Sequence, residues 1–159
     1  MTFIKNIGLL LLALVFQQTL VRLIGMGGIR PDLVLIALVA ISLRHGCIQG
    51  LYCGLFIGLV QDVYAIETLG ANALSKCLVG YLFGLLDERM VKIMPATKVL
   101  LLGAAFIFHD VIFFWAAGLP GRAYLDAMWR LSLPGLIYTL LVAALLYSLS
   151  PIRPRRQSH

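Results

Sequence analysis

Charge is what this sequence has least of. Of its 159 residues only 13% are charged and 61% are hydrophobic, which excludes an ordinary soluble domain of this size. The 13 Lys and Arg outnumber the 7 Asp and Glu, yet they punctuate apolar runs instead of gathering on one helix face. No aromatics interleave them on a polar stretch, so a nucleic-acid surface is excluded. Cysteine is scarce as well. Cys47, Cys53 and Cys77 all lie inside apolar runs, and none has metal-ligand spacing with a histidine. An odd number so placed reads as small packing residues, with neither disulfide nor zinc expected. The sequence also lacks a nucleophile–base pair, a Gly-rich phosphate loop and a metal cluster, so neither catalysis nor a cofactor is expected. A single membrane domain over residues 1–150 and a short basic tail over 151–159 account for the whole length.

Glycine is present where a soluble helix would avoid it. Gly46, Gly50, Gly54 and Gly58 recur every fourth residue and run down to Asp62. On a helix they stack along one face, at a cost of about 1 kcal/mol each relative to alanine in water. In a bilayer, where lipid tails are as apolar as leucine, small residues at this spacing allow helix backbones to approach closely. This third segment is therefore read as the centre of a helix bundle, packed within the chain or offering a groove to a partner's helix. Gly70, Asn72 and Lys76 open the next apolar run.

Six apolar segments follow from the pattern. The first covers residues 4–24, with Gln17 and Gln18 as interhelical hydrogen-bonding groups and Arg22 snorkelling to the interface. It is too long for a signal-peptide core and is expected to stay as an anchor. Glycines and Pro31-Asp32 make a turn that opens segment two, residues 33–43. That segment reaches only about 18 Å against a hydrocarbon core of ~30 Å. Borrowing residues 26–29, tilting little and re-entrance all stay open. Arg44-His45 separates it from segment three. Segment four is residues 69–86, with Gly80 and Gly84 on one face, and segment five is residues 99–117. A turn-rich loop, residues 118–126, leads to segment six, residues 131–149, with Pro134 in its first turn and Trp115 and Trp129 flanking the loop.

With six spans and the N-terminus inside, the inner side carries Lys5, Arg44, Arg89, Lys92, Lys98, Arg153, Arg155 and Arg156, and the outer side Arg22, Arg30, Arg122 and Arg130. Eight against four obeys the positive-inside rule and puts both termini in the cytoplasm. Five spans would expel either the arginine tail or the Arg89–Lys98 loop.

Asp62, Lys76 and Asp110 are the ionisable residues at membrane depth, where such groups face the interior or a wet cavity. Counted from the cytoplasmic ends of their segments, Lys76 lies about 15 Å deep and Asp110 about 18 Å, so these two are expected to pair. Asp62 sits nearer the outer surface, as a competing partner or a clamp on the loop to Gly70. His109 is read as an interhelical hydrogen-bonding group. Neighbours on a helix point about 100° apart, so His109 and Asp110 are not expected to form a catalytic dyad by themselves.

Arg30-Pro31-Asp32, the Gly-rich segment closing on Gly58-Leu59-Val60-Gln61-Asp62, Leu69-Gly70-Ala71-Asn72-Ala73-Leu74 and Val79-Gly80-Tyr81-Leu82-Phe83-Gly84 together resemble the rod shape-determining protein MreD family over nearly the whole chain. The resemblance implies a component of the bacterial inner membrane in the cell-elongation machinery. There it would work with the bitopic protein MreC, the actin-like MreB, the glycosyltransferase RodA and its partner transpeptidase. It also implies an all-α, six-helix transmembrane fold similar to the substrate-binding S-components of energy-coupling-factor transporters. The expected function is a non-catalytic scaffold touching partner proteins and membrane lipids. The partner or cavity candidates are Pro31, Asp32, Gly50, Gly54, Gly58, Asp62, Gly70, Asn72, Lys76 and Asp110. The alternative is a transport subunit binding a small molecule or lipid in a polar cavity near Asp62, Asn72, Lys76 and Asp110.

Overall fold

A computed structural model of the chain describes residues 2–24, 32–65, 68–86, 95–118 and 120–149, in which the ordered elements are all helices. They are α1 (Thr2–Ile24), α2 (Leu33–His45), α3 (Cys47–Tyr64), α4 (Ala71–Gly84), α5 (Pro95–Ala116), α6 (Gly121–Ala127) and α7 (Leu133–Leu149), with a π-helical turn, Met128–Ser132, joining the last two. Pro31, the Arg89 and Lys92 positions, Arg22 and Arg30 as side chains, and the tail from residue 150 lie outside the described residues. Three stretches, Cys47–Tyr64, Thr97–Ala116 and Tyr124–Leu145, are long and apolar enough to cross a membrane, and Phe3–Thr19 and Leu33–His45 are shorter apolar helices.

The short second helix, not the third, is the most enclosed element. One side of α2 (Val34, Leu38, Ile41) meets Leu10 and Leu14 of α1 and Cys53 and Ile57 of α3. Its other side (Leu35, Ile36, Val39) meets Val79 and Phe83 of α4, Leu102, Ala105 and Phe106 of α5 and Ala143 of α7. A helix apolar all round lies among neighbours or in lipid, and here neighbours cover both sides. The expectation that segment three is the centre of the bundle is thus corrected: α3 buries one face, with Gly50, Cys53, Gly54, Ile57, Gly58 and Asp62, and leaves Tyr52, Leu55, Phe56, Leu59 and Val63 exposed.

Gly46 alone separates α2 from α3. Its φ of +87° and ψ of 176° lie in a region only glycine occupies readily, and its N–H closes α2 on the Ser42 carbonyl at 2.9 Å. Gly46 is therefore the hinge and not a member of the ridge. The remaining ridge glycines lie against α4, antiparallel to them. A Cβ at Gly50 would strike the Gly80 carbonyl, one at Gly54 the Lys76 carbonyl, and one at Gly58 would come within 2.5 Å of Ala73 Cα. At the other end a Cβ on Gly84 would sit 2.5 Å from Cys47 Cα. This is the backbone-to-backbone approach that small residues permit.

The expected loop over residues 118–126 is mostly helix. Gly118 makes the turn with a φ of +69°, Pro120 takes the N-cap position in extended conformation, and helix begins at Gly121. Pro134 is the second residue of α7, in its first turn as expected, but the π-helical turn runs into that helix without a break. Proline lacks the N–H that would bond to the carbonyl of Arg130 and its ring crowds that carbonyl. The π-helical turn Met128–Ser132 is the local widening that relieves it. Trp115 and Trp129 are both largely exposed, at 74% and 70%, as belt aromatics are.

Candidate functional site: a buried polar node linking four helices

The polar residues singled out from the sequence converge at one end of the bundle. Asp62 stands in the last turn of α3 and is only 2% exposed. Its Oδ1 accepts the backbone N–H and the side-chain N–H of Asn72 at 3.1 and 3.0 Å, and its Oδ2 accepts the Ala73 N–H at 2.9 Å. The N-cap of α4 is Gly70, left-handed at φ +92° and without a side chain to cap with. Asp62 supplies that missing cap from the neighbouring helix, satisfying orphan amides and meeting the positive end of the helix dipole. Of the two roles open to Asp62, the structure shows the clamp.

Asn72 passes the connection on. Its Oδ1 accepts from Lys76 Nζ at 3.3 Å, one helical turn away. Lys76 is 1% exposed, and its ammonium lies 2.9 Å from His109 Nε2 on α5 and 3.6 Å from Asp32 Oδ2 at the head of α2. With the ammonium donating, Nε2 is the acceptor and Nδ1 carries the imidazole proton, which it donates to Asp110 Oδ1 at 3.0 Å. The expected Lys76–Asp110 pair is therefore corrected: Asp32 is the carboxylate beside Lys76, and Asp110 is reached only through His109. His109 and Asp110, though adjacent in sequence, do hydrogen-bond, because each side chain folds toward the other across the 100° between them.

Asp32 holds several connections at once. Its Oδ1 caps α2 through the Leu35 N–H at 2.9 Å, and its own N–H donates to Thr139 Oγ1 of α7 at 3.3 Å. Gln17 of α1 accepts the Val34 N–H at 3.2 Å, the interhelical role expected of it. Thr139, fully buried, carried no signal in the sequence beyond being a hydroxyl in an apolar run.

Asp62, Asn72, Lys76, His109 and Asp110 thus join one hydrogen-bonded chain over α3, α4 and α5, which the Lys76–Asp32 ion pair ties to α2, with Gly70 shaping the cap beside it. Gly50, Gly54 and Gly58 form the α3–α4 contact surface below it. Asp62, Asn72 and Lys76 contact one another directly, while Asp110 also borders a cavity. Among the described residues no group of three His, Cys, Asp or Glu could hold a metal ion.

The helices and this interior define an all-α membrane protein whose buried polar groups join helices to one another. A sequence profile describing the rod shape-determining protein MreD matches residues 1–149. The chain belongs to that family and is a membrane protein of the rod-shape machinery. No curated protein and no solved structure matches it, so a likeness to energy-coupling-factor S-components rests on the sequence resemblance alone.

Proposed function

We propose that this chain is a non-catalytic scaffold in the bacterial inner membrane, with both termini cytoplasmic. In this reading it holds an MreC-like bitopic protein by helix packing and, through the complex, stands with RodA, its partner transpeptidase and MreB. The observation that carries the reading is the use of the interior. The polar node and the glycine ridge are both engaged within the chain, fixing α2, α3, α4 and α5 as one body. A partner's helix then needs another surface. The outward face of α3 offers Ile48, Tyr52, Leu55, Phe56, Leu59 and Val63, all exposed. These recur at helical spacing over about 22 Å, a length suited to one transmembrane helix laid alongside.

The test is site-specific photocrosslinking in native membranes. A photoreactive residue at Tyr52 or Phe56 is expected to capture the bitopic partner, whereas one at Leu100, on exposed α5, is not. Capture at Leu100 alone would move the interface away from α3, and adducts to lipid alone at all three sites would remove the scaffold reading.

A further inference from the structure

Beside the node, on the far side of Asp110, lies a cavity of about 270 Å³ between α5 and the rod formed by α6, the π-helical turn and α7. Phe106, Ile107, Tyr124, Trp129 and Leu136 make most of its wall, and Asp110 and Ser132 are among the residues that line it. Ile107 also lines a second, larger groove of about 630 Å³ running along α5 and α7 past Leu100, Gly103 and Leu140. Gly103 keeps that groove wide: a Cβ there would find nothing nearer than 3.8 Å.

Among the described residues, the three carboxylates of the node are not equally met. Asp62 is met by the amides opening α4 and Asp32 by the Lys76 ammonium. Asp110 receives one N–H from a neutral imidazole, and among the described residues no Lys or Arg reaches it. A carboxylate so placed in a membrane calls for a cation. A bare divalent ion would need about six oxygen ligands, and the cavity wall is mostly hydrocarbon. An ammonium carried on an apolar body suits both parts. Its N–H groups can donate to Asp110 Oδ2 and Ser132 Oγ, the rings of Tyr124 and Trp129 favour a cation nearby, and the groove past Gly103 accepts a chain.

The geometry points to a binding site for an aminophospholipid in the wedge between α5 and α6–α7, with its primary ammonium on Asp110 and one acyl chain along Gly103. A choline headgroup has no N–H to donate and a glycerol headgroup leaves the lipid anionic, so both fit less well.

The chain is reconstituted in nanodiscs of phosphatidylcholine doped with phosphatidylethanolamine, phosphatidylglycerol or phosphatidylcholine brominated on the acyl chain. Quenching is read from Trp129 in a Trp115→Phe background and from Trp115 in a Trp129→Phe background. Brominated phosphatidylethanolamine is expected to associate several-fold more strongly than the other two at Trp129, equally at Trp115, and without preference once Asp110→Asn is introduced. Gly103→Leu, which narrows the groove without touching the node, is expected to remove the preference too, and it serves if the Asp110 variant does not accumulate. Equal quenching by the three lipids means that hydrocarbon merely fills the wedge, and overturns the proposal. A preference that survives both substitutions also overturns it, by placing the ammonium elsewhere.

Discussion

Replacing Lys76 with methionine removes the one cation that the described residues give the node while keeping most of the length of the side chain. Two hydrogen bonds go with it, to Asn72 and His109, and at ~0.6 kcal/mol each within a membrane they account for about 1 kcal/mol. The larger effect falls on Asp32, whose carboxylate loses the ammonium 3.6 Å away. An uncompensated charge there costs about 3 kcal/mol on the insertion scale, so the charge outweighs the hydrogen bonds. Asp32→Asn alone strands the Lys76 ammonium at a similar cost while keeping an oxygen for the Leu35 N–H. The double change leaves no stranded charge and is expected to lose only about 1 kcal/mol, because removing both members of a buried pair hurts less than removing one. Unfolding in mixed detergent micelles, read by circular dichroism across the four proteins, measures the coupling, expected at about 5–6 kcal/mol from these figures. The same cycle with Asp110→Asn should couple more weakly, since Asp110 reaches Lys76 only through His109. Additive losses for Lys76 with Asp32, beside strong coupling for Lys76 with Asp110, would refute this ordering.

Gly54→Leu or Gly58→Leu should abolish accumulation of the protein itself, since both positions face α4 backbone; immunoblotting of membranes checks this, and normal levels would contradict it. Tyr52→Ala, on the open face, should leave the level unchanged while lowering co-purification of the bitopic partner. Asp62→Ala should cost about 1–2 kcal/mol as the loss of a helix cap, with Asp62→Asn milder because one oxygen still accepts; equal unfolding midpoints for the wild type and Asp62→Ala would deny the clamp. A reporter fused after Arg156 should be active only if it works in the cytoplasm, and one inserted at Gly121 only if it works outside; the opposite result at either site would remove the six-span orientation.

What the sequence made legible was periodic or punctuated. The fourfold spacing of Gly50, Gly54 and Gly58, the break at Gly46 after Arg44-His45, and the approach of Asp62 to the loop before Asn72 each follow from local rules. What stayed hidden depended on rotation about helix axes. Counting residues along α4 and α5 gives the heights of Lys76 and Asp110 but not the directions of their side chains. Lys76 points toward the head of α2, where Asp32 had been read as a helix opener and a partner or cavity candidate but not as the partner of Lys76. The enclosure of α2 was likewise illegible, since its apolar residues fit a lipid-facing helix as well as one covered by neighbours. The helix over Gly121–Ala127 was obscured by Gly118, Pro120 and Gly121, whose turn signals end just where helix-forming residues begin.

The node can be observed in the unaltered chain. Rotational-echo double-resonance NMR on the chain in lipid bilayers, with ¹⁵N-labelled lysine and ¹³C-carboxyl-labelled aspartate, reports which carboxylate lies beside Lys76 Nζ, and Asp32→Asn and Asp110→Asn samples serve only to assign the carbons. The expected result is strong dephasing of the Lys76 signal by the Asp32 carboxylate and little from Asp110. Dephasing by Asp110 with none from Asp32 would contradict the node, and with it the account of how α2, α4 and α5 are held as one body.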